Sequence, residues 1–480
     1  MTDSPLFAHA IVEPVESPAA AESVLVLTVA QNEPAVLETI RSAAMCGRFS
    51  IFASDPVEVF SIPEDQDDRQ ASPIRRLASR IARFPALESQ LENVPLAGGW
   101  IGHLTYEAGL VGGHVPRRSW GWWEPCIRFG LYDHLLVFDH FDGLWYACAI
   151  DWPDPWRARR PAVEHRLGVL RERLRAAEAV RLSPPPRPST STALANMTRD
   201  AYLAKVGRAI DYIEAGDIYQ VNLTQRFAVR TDASPLQLYR RLRRCNPSPF
   251  AAFLQSNDAA VLSSSPELFL DVCGRRVVTR PIKGTRPRSG DTIVDSDSRR
   301  ELGESEKERA ELTMIVDLLR NDLGRVCEFG SIRVTDPGAI EEHPTVFHRA
   351  ATIEGRLAQD KGWPDLLEAA FPGGSVTGAP KIRAMQIIRE LEPTPRGVYC
   401  GSIGWIGLDG NMSLNLAIRT MVQRGDAVWA YAGGAIVAES DPRREYEEIQ
   451  AKAAGMFSAL NVKQSRRRGA LPRRREVSAA

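Results

Sequence analysis

The sequence predicts an α+β protein in which helices cover antiparallel sheets. Residues 218–228 alternate, with Tyr219, Val221 and Leu223 on one face, which is the period-2 pattern of a strand. Residues 200–215 and 306–323 instead carry apolar side chains at helical spacing. A hydrophobic content of 44% over 480 residues is enough for a large core. Helices and strands therefore share one long folded segment.

The composition argues against several classes of protein. Lys plus Arg and Asp plus Glu are both 60, so nothing global attracts nucleic acid or a membrane surface. The seven cysteines are scattered without a C-x-x-C pair, which predicts a reducing compartment and no disulfide framework. We see no signal peptide and no apolar run long enough for a membrane span. We expect a cytoplasmic protein.

Composition also suggests where the chain divides. The stretch 182–197 is rich in Pro, Ser and Thr and predicts a linker between an N-terminal region, 1–181, and the main unit, 198–462. In the N-terminal region, 61–80 is predicted to be a polar surface loop and 157–181 an Arg-rich helix. The basic stretch 463–480 is predicted to be a disordered tail.

Three helices can be delimited in the main unit. The helix over 200–215 stops at Gly216, and the helix over 306–323 stops at Gly324. Asp441 followed by Pro442 is an N-cap with proline at the first helical position, and that helix runs to about residue 460.

The segment Pro281-Ile282-Lys283-Gly284-Thr285 can present one amine into a pocket. Proline fixes φ, and glycine permits close backbone approach. An amine is nucleophilic only when neutral, and burial or neighbouring cations depress its pKa. In isolation, a lysine in such a turn is usually a solvated surface residue. The segment gains meaning from the features that accompany it.

Two predicted helices carry carboxylates at matched spacing. The residues are Glu308 and Glu311 on the first, and Glu445 and Glu448 on the second, which also carries Lys452. Residues at i, i+3 and i+7 share one helix face. Opposed across a cleft, four carboxylates would require a divalent cation, and all-oxygen ligands select Mg²⁺ or Ca²⁺. Two solvated charged faces would give the same pattern.

Other segments are typical of anion binding. Residues 371–381 form a glycine-rich loop before a helix, and such loops point backbone N–H groups at anions. Gly433 and Gly434 follow a strand-like run. Arg419 lies in a stretch that reads as helical, where an isolated arginine requires a carboxylate partner. Structural turns and an internal salt bridge remain the alternatives.

Seven blocks in order resemble the chorismate-utilising enzymes over roughly 98–460. They are SSSPELFL (263–270), PIKGTRPR (281–288), ELTMIVDLLRNDLGRV (311–326), GGSVTGAPKIRAMQII (373–388), YCGSIGW (399–405), LNLAIRT (414–420) and AGGAIVAESDPRREYEEIQAK (432–452). The resemblance implies an α/β sandwich of two antiparallel-sheet halves with outer helices, packed face to face over a buried site. It makes 198–462 the chorismate-binding catalytic domain, intertwined with 1–181.

The resemblance also implies roles for individual residues. Lys283, Glu267, His348 and Thr285 would be catalytic, with Glu267 protonating the departing C4 hydroxyl. Mg²⁺ would be held by Glu311 and Glu448, with Glu308 and Glu445 binding directly or through water. The residues expected to bind substrate are Arg419, Tyr399, Gly433, Gly434, Lys452, Thr377 and Gln220.

Two positions distinguish the activities within the family. Members that add water resemble one another in a lysine where this chain has Gln220, and glutamine cannot take a proton. Anthranilate synthases resemble this chain but read PIAGT around residue 283. The lysine form is similar to component I of aminodeoxychorismate synthase, which makes a precursor of p-aminobenzoate and folate. Anthranilate synthase component I and a catalytically silent chorismate-binding scaffold are the alternatives.

Two absences complete the sequence-based interpretation. The N-terminal region shows no convincing leucine-glutamate-serine motif of the kind that lines the tryptophan pocket of feedback-regulated anthranilate synthases. No cysteine lies in a G-x-C-x-G nucleophile elbow. The amine donor would therefore be free ammonia or ammonia from a partner glutamine amidotransferase subunit.

Overall fold

The computed structural model describes residues 7–40, 47–63, 72–88, 91–110, 115, 123–343 and 346–463. The predicted basic tail lies outside these ranges beyond residue 463. No helix in the described ranges combines the length and apolar character needed to cross a membrane.

Helices occur between groups of consecutive strands in the described ranges. The strands are β1 Phe7–Val15, β2 Ala35–Glu38, β3 Phe49–Ala53, β4 Glu58–Ile62, β5 Ala86–Leu87, β6 Gly99–Leu104, β7 Ile127–Tyr132, β8 His134–Asp139, β9 Leu144–Asp151, β10 Leu194–Ala195, β11 Gln220–Arg230, β12 Phe250–Gln255, β13 Ala260–Ser265, β14 Leu268–Cys273, β15 Arg276–Arg280, β16 Ile282–Pro287, β17 Arg333–Glu342, β18 Val346–Arg356, β19 Gly378–Ala379, β20 Ser402–Gly407, β21 Met412–Leu416, β22 Thr420–Arg424 and β23 Ala427–Ile436. The helices are α1 Ala21–Val29, α2 Pro73–Ile81, α3 Val163–Ala179, α4 Arg199–Glu214, α5 Pro235–Cys245, α6 Thr292–Glu304, α7 Glu306–Gly324, α8 Trp363–Ala370, α9 Lys381–Leu391 and α10 Pro442–Leu460.

The strands form two sheets, and this confirms the predicted fold class. The first sheet runs β10-β11-β23-β22-β13-β12-β2-β3-β8-β9-β1-β5, with β19 added beside β11. The second runs β16-β18-β15-β14-β21-β20-β6-β7-β4, with β17 beside β18. Pairing is antiparallel except for the short β1–β5 pair. Strands from before and after residues 182–197 occur in both sheets, so the two parts of the chain build one core.

Helices cover the outer faces and position the site. Helices α4, α5 and α10 pack on strands of the first sheet, and α6 and α7 pack on β16 and β18 of the second. Helix α10 begins as predicted, because the Asp441 carboxylate accepts the backbone N–H groups of Arg443 and Arg444. Side chains from both sheets line shared cavities between them.

Three sequence-based expectations about local structure were wrong. The supposed loop over 61–80 contains the end of β4 and the helix α2, which Ser72 caps. The Arg-rich helix begins at Val163 rather than 157, because Pro161 precedes it. Arg419 lies between β21 and β22 at φ +51°, outside any helix, although apolar neighbours gave it a helical pattern.

Candidate active site

A cavity of about 660 Å³ between the sheets brings together most of the predicted site residues. It is lined by eleven of them: Glu267, Lys283, Thr285, Glu308, Glu311, His348, Tyr399, Arg419, Gly433, Glu448 and Lys452. These residues come from strands of both sheets, from α7 and α10, and from the connections that carry Glu267, Tyr399 and Arg419. The motifs are therefore one site in space although nearly 200 residues separate the first from the last.

A bulge in β16 presents Lys283 to this cavity. The register of β16 on β18 shifts between Ile282 and Thr285, and Gly284 within the bulge adopts φ +82°. A Cβ at Gly284 would lie 2.8 Å from Leu302 Cδ1 and 2.9 Å from Glu308 Cδ. Burial lowers the pKa of Lys283, and the charge of Glu311 only partly opposes that effect. Deprotonation to the neutral amine is therefore easier for Lys283 than for a surface lysine.

Glu267 lines the same cavity as Lys283 and is 6% exposed. Its carboxylate accepts a hydrogen bond from Ser375 Oγ at 2.8 Å. Burial raises the pKa of Glu267 to about 7, against the opposing influence of Ser375 and Lys283. The environments thus push the pKa of the acid up and that of the amine down, which favours the protonated carboxyl and the neutral amine over their charged forms.

His348 forms one wall with its ring fixed. Its Nδ1 lies 2.8 Å from Thr285 Oγ1. Burial, with the nearby charge of Arg419, lowers the pKa of His348 to about 3. The imidazole is therefore neutral at physiological pH and can exchange hydrogen bonds with a ligand without adding charge.

Arg419 provides a positive charge for an anionic ligand. Its Nη1 donates to Asn246 Oδ1 at 3.1 Å, and within the described ranges no carboxylate forms an ion pair with its guanidinium. Burial lowers its pKa. Because a buried arginine without a countercharge is costly, this geometry suits a ligand carboxylate. Tyr399, on the same side, stacks on Tyr431 with ring centroids 5.1 Å apart.

Amino groups neutralise the carboxylates of α7 and α10. Lys452 Nζ contacts Glu448 Oε1 at 2.7 Å, so the pKa of Glu448 is lowered although burial opposes its charge. Lys307 Nζ lies 3.8 Å from Glu311 Oε1 and 3.7 Å from Glu445 Oε1. Burial raises the pKa of both Glu311 and Glu445.

The carboxylate oxygens of α7 and α10 are the type of ligand that a hard divalent cation prefers. One carboxylate oxygen of Glu308 and one of Glu445 are buried without a hydrogen-bond partner. Such oxygens are costly unless a cation satisfies them. As the side chains stand, no three His, Cys, Asp or Glu residues in the described part of the chain are arranged to hold a metal. Binding a cation would therefore require carboxylates of α7 and α10 to move closer together.

Four predicted residues do not line the cavity: Gln220, Thr377, Gly434 and Glu445. The Thr377 hydroxyl donates to Gly373 O at 3.0 Å and so fixes the glycine-rich loop. Gly434 lies against Glu445, where a Cβ would be 3.3 Å from Oε2. Gln220 is fully buried beside β19, and neither its amide oxygen nor its amide nitrogen has a partner.

The sequence-based interpretation missed several residues of the cavity. Ser375, Lys307 and Asn222 line it, and Asn222 could have been found because it shares the polar face of β11 with Gln220. The interpretation also passed over a leucine-glutamate-threonine segment in the N-terminal region. Leu37-Glu38-Thr39, at the end of β2, lines a separate cavity of about 270 Å³, and the Glu38 carboxylate accepts hydrogen bonds from Tyr239 and Arg243.

Comparisons with known proteins identify the family of the chain. The family model for the chorismate binding enzyme matches residues 38–458. The chain is 40% identical over 397 residues to anthranilate synthase component 1 of Thermus thermophilus, covering 81% of this chain and 83% of that protein. It is 39% identical over 379 residues to aminodeoxychorismate synthase component 1 of Klebsiella aerogenes, covering 79% and 80%.

A solved structure supports the same conclusion. The crystal structure of anthranilate synthase component I from Streptococcus pneumoniae superposes with a TM-score of 0.72 at 30% identity, covering 92% of this chain and all of that one. The family model spans every residue that lines the cavity. The chain belongs to the chorismate-binding enzyme family.

Proposed function

We propose that this chain converts chorismate and ammonia to 4-amino-4-deoxychorismate, as component I of an aminodeoxychorismate synthase. The observation that carries the proposal is the Lys283 side chain, which the β16 bulge holds in the cavity beside a carboxyl group of raised pKa. An anthranilate-type site has no internal amine to compete for C2 of chorismate. Relatives of similar identity carry either name, so the local chemistry at residue 283 has to discriminate.

The reaction would proceed as two allylic displacements. The neutral Lys283 amine attacks C2 while Glu267 protonates the C4 hydroxyl, both double bonds of the ring diene shift by one position, and water leaves. Ammonia then attacks C4, both double bonds shift back, and the C2–N bond to Lys283 breaks. The new ammonium group returns a proton to the Glu267 carboxylate, which restores the starting state. Covalent catalysis divides one difficult substitution into two easier ones.

The remaining residues would hold the substrate. Arg419, supported by Tyr399 and the backbone around Gly433, would bind the enolpyruvyl carboxylate, and neutral His348 would lie against the ring. Glu311 and Glu448, with Glu308 and Glu445, would hold Mg²⁺ near the ring carboxylate. The ion would supply charge stabilisation and orientation.

Ammonia would reach the site from a partner in the cell. Because no cysteine of the sequence lies in a nucleophile elbow, we propose that a glutamine amidotransferase subunit supplies it. The second candidate is anthranilate synthase component I, favoured by the similarity to the Thermus enzyme. In that reaction ammonia would attack C2 directly, and Lys283 would only line the wall.

Substitution of Lys283 tests the proposal. In Lys283→Ala, C2 is open to external ammonia, so we expect most 4-amino product to disappear and 2-amino-2-deoxyisochorismate to appear. Lys283→Arg keeps the charge but stays protonated, so it should also lose the 4-amino product. A Lys283→Ala enzyme that makes 4-amino product at near wild-type rate would refute the covalent role. Magnesium-dependent chorismate consumption by the wild type would exclude a silent scaffold.

A further inference from the structure

Lys307 occupies the gap between the two carboxylate-bearing helices. It lies in the first turn of α7, and its Nζ is 3.8 Å from Glu311 on the same helix and 3.7 Å from Glu445 on α10. Its side chain also lines the active-site cavity. A single cation therefore bridges the two helices at the place where carboxylates from both helices meet.

The bridge formed by Lys307 is looser than its neighbours. Lys452 contacts Glu448 at 2.7 Å and Arg286 contacts Glu308 at 2.8 Å, both at hydrogen-bond distance. The Lys307 contacts are longer than a hydrogen bond, and its side chain is 52% exposed while Glu445 is 3% exposed. The ammonium can therefore leave toward solvent without breaking a short hydrogen bond, whereas the carboxylate cannot.

Electrostatics explain why a cation is needed at this place. Glu445 and Glu448 repel each other, as do Glu311 and Glu448, and Lys307 lowers the energy of all three charged forms. Without a cation, like charges would face each other across a partly buried gap. One oxygen of Glu445 still lacks any partner there. Lys307 thus balances negative charge of the carboxylates but leaves this Glu445 oxygen without a hydrogen bond.

We propose that Lys307 is a tethered counter-ion that holds the gap between α7 and α10 closed in the metal-free enzyme and is displaced when a divalent cation binds. The inference rests on the proposed function, because it takes these carboxylates to be the cation ligands. Lys307 would then stabilise the free enzyme and compete with Mg²⁺, so that the affinity for Mg²⁺ is set partly by the lysine. Displacement would also remove one positive charge from the cavity as two positive charges enter.

The test compares Mg²⁺ binding and stability of the full chain after removal of metal with EDTA. Lys307→Met should bind Mg²⁺ about tenfold more tightly by calorimetry, equivalent to about 1.4 kcal/mol, and should unfold at a lower temperature in EDTA. Lys307→Arg keeps a cation and should bind Mg²⁺ like the wild type. The matched control is Arg309→Met, which removes a cation two residues away whose 3.8 Å pair with Glu306 lies outside the active-site cavity.

The outcomes separate this inference from the proposed function. If Lys307→Met binds Mg²⁺ with unchanged or weaker affinity than the wild type, the counter-ion role is wrong even though the metal site stands. If neither the wild type nor Lys307→Met binds Mg²⁺, the metal site of the proposed function and the inference both fail. If Arg309→Met increases the affinity for Mg²⁺ as much as Lys307→Met does, the increase comes from net charge alone, and the inference is overturned.

Discussion

The bulge that presents Lys283 should depend on the glycine that follows it. Gly284 has φ +82°, which an alanine adopts at a cost of about 1 kcal/mol. A Cβ there would also lie 2.8 Å from Leu302 Cδ1 and 2.9 Å from Glu308 Cδ. Leu302 is fully buried, so the overlap forces a shift of packed atoms worth another ~2 kcal/mol. We expect Gly284→Ala to lower the free energy of unfolding by about 3 kcal/mol.

Gly290 separates the two contributions. It also has φ +82°, but a Cβ there would meet no atom within 4 Å. Gly290→Ala should therefore pay only the backbone cost, about 1 kcal/mol. Urea denaturation of both variants measures the difference. Because a displacement of ~1 Å can cost roughly a hundredfold in rate, Gly284→Ala should lose at least about tenfold in 4-amino product formation while Gly290→Ala stays near wild type.

The reasoning about the bulge would be refuted by equal behaviour of the two variants. If Gly284→Ala and Gly290→Ala lose the same stability, the close contacts with Leu302 and Glu308 are not sterically limiting. If Gly284→Ala is destabilised but fully active, the bulge does not position the Lys283 amine.

Three further predictions concern acid, metal and nitrogen donor. Burial holds the pKa of Glu267 at about 7 against an ordinary 4.5. The stabilisation from the protonated carboxyl is therefore fully present below pH 4.5 and is lost as pH rises through 7. The free energy of unfolding of Glu267→Gln, which we expect to be inactive, should fall by roughly 3 kcal/mol less over this pH range than that of the wild type. Glu448→Gln should abolish turnover at ordinary Mg²⁺ concentrations, and excess Mg²⁺ should partly restore it. The control Glu447→Gln, at a neighbouring exposed residue, should keep its activity. Titration of the reaction rate with Mg²⁺ measures both variants. The isolated chain should use ammonium but not glutamine, and glutamine-dependent turnover free of contaminating glutaminase would count against a separate amidotransferase.

Much of the fold could be predicted because local patterns agree with tertiary structure. The period-2 alternation of 218–228 became β11, and the capped pattern at Asp441 became the start of α10. Arg419 shows the limit of that approach. Its neighbours are apolar at near-helical spacing, but they belong to two different strands, and only the strand pairing determines the turn between them.

The candidate site could be predicted as a set of residues but not as a set of contacts. Lys283 and Glu267 stood out because their motifs resemble a known family. The partners of the carboxylates, among them Lys307 and Arg286, come from pairings across elements that no local spacing encodes. The same holds for Ser375, whose hydroxyl reaches Glu267 across 108 residues of sequence.

Product identity tests the central claim most directly. The purified chain would be incubated with chorismate, Mg²⁺ and ammonium at alkaline pH, which favours the neutral forms of Lys283 and of ammonia, and the product would be identified by mass and chromatographic retention. The account predicts 4-amino-4-deoxychorismate. Anthranilate as the principal product would contradict the covalent role of Lys283 and assign the chain to the C2-aminating branch of the family.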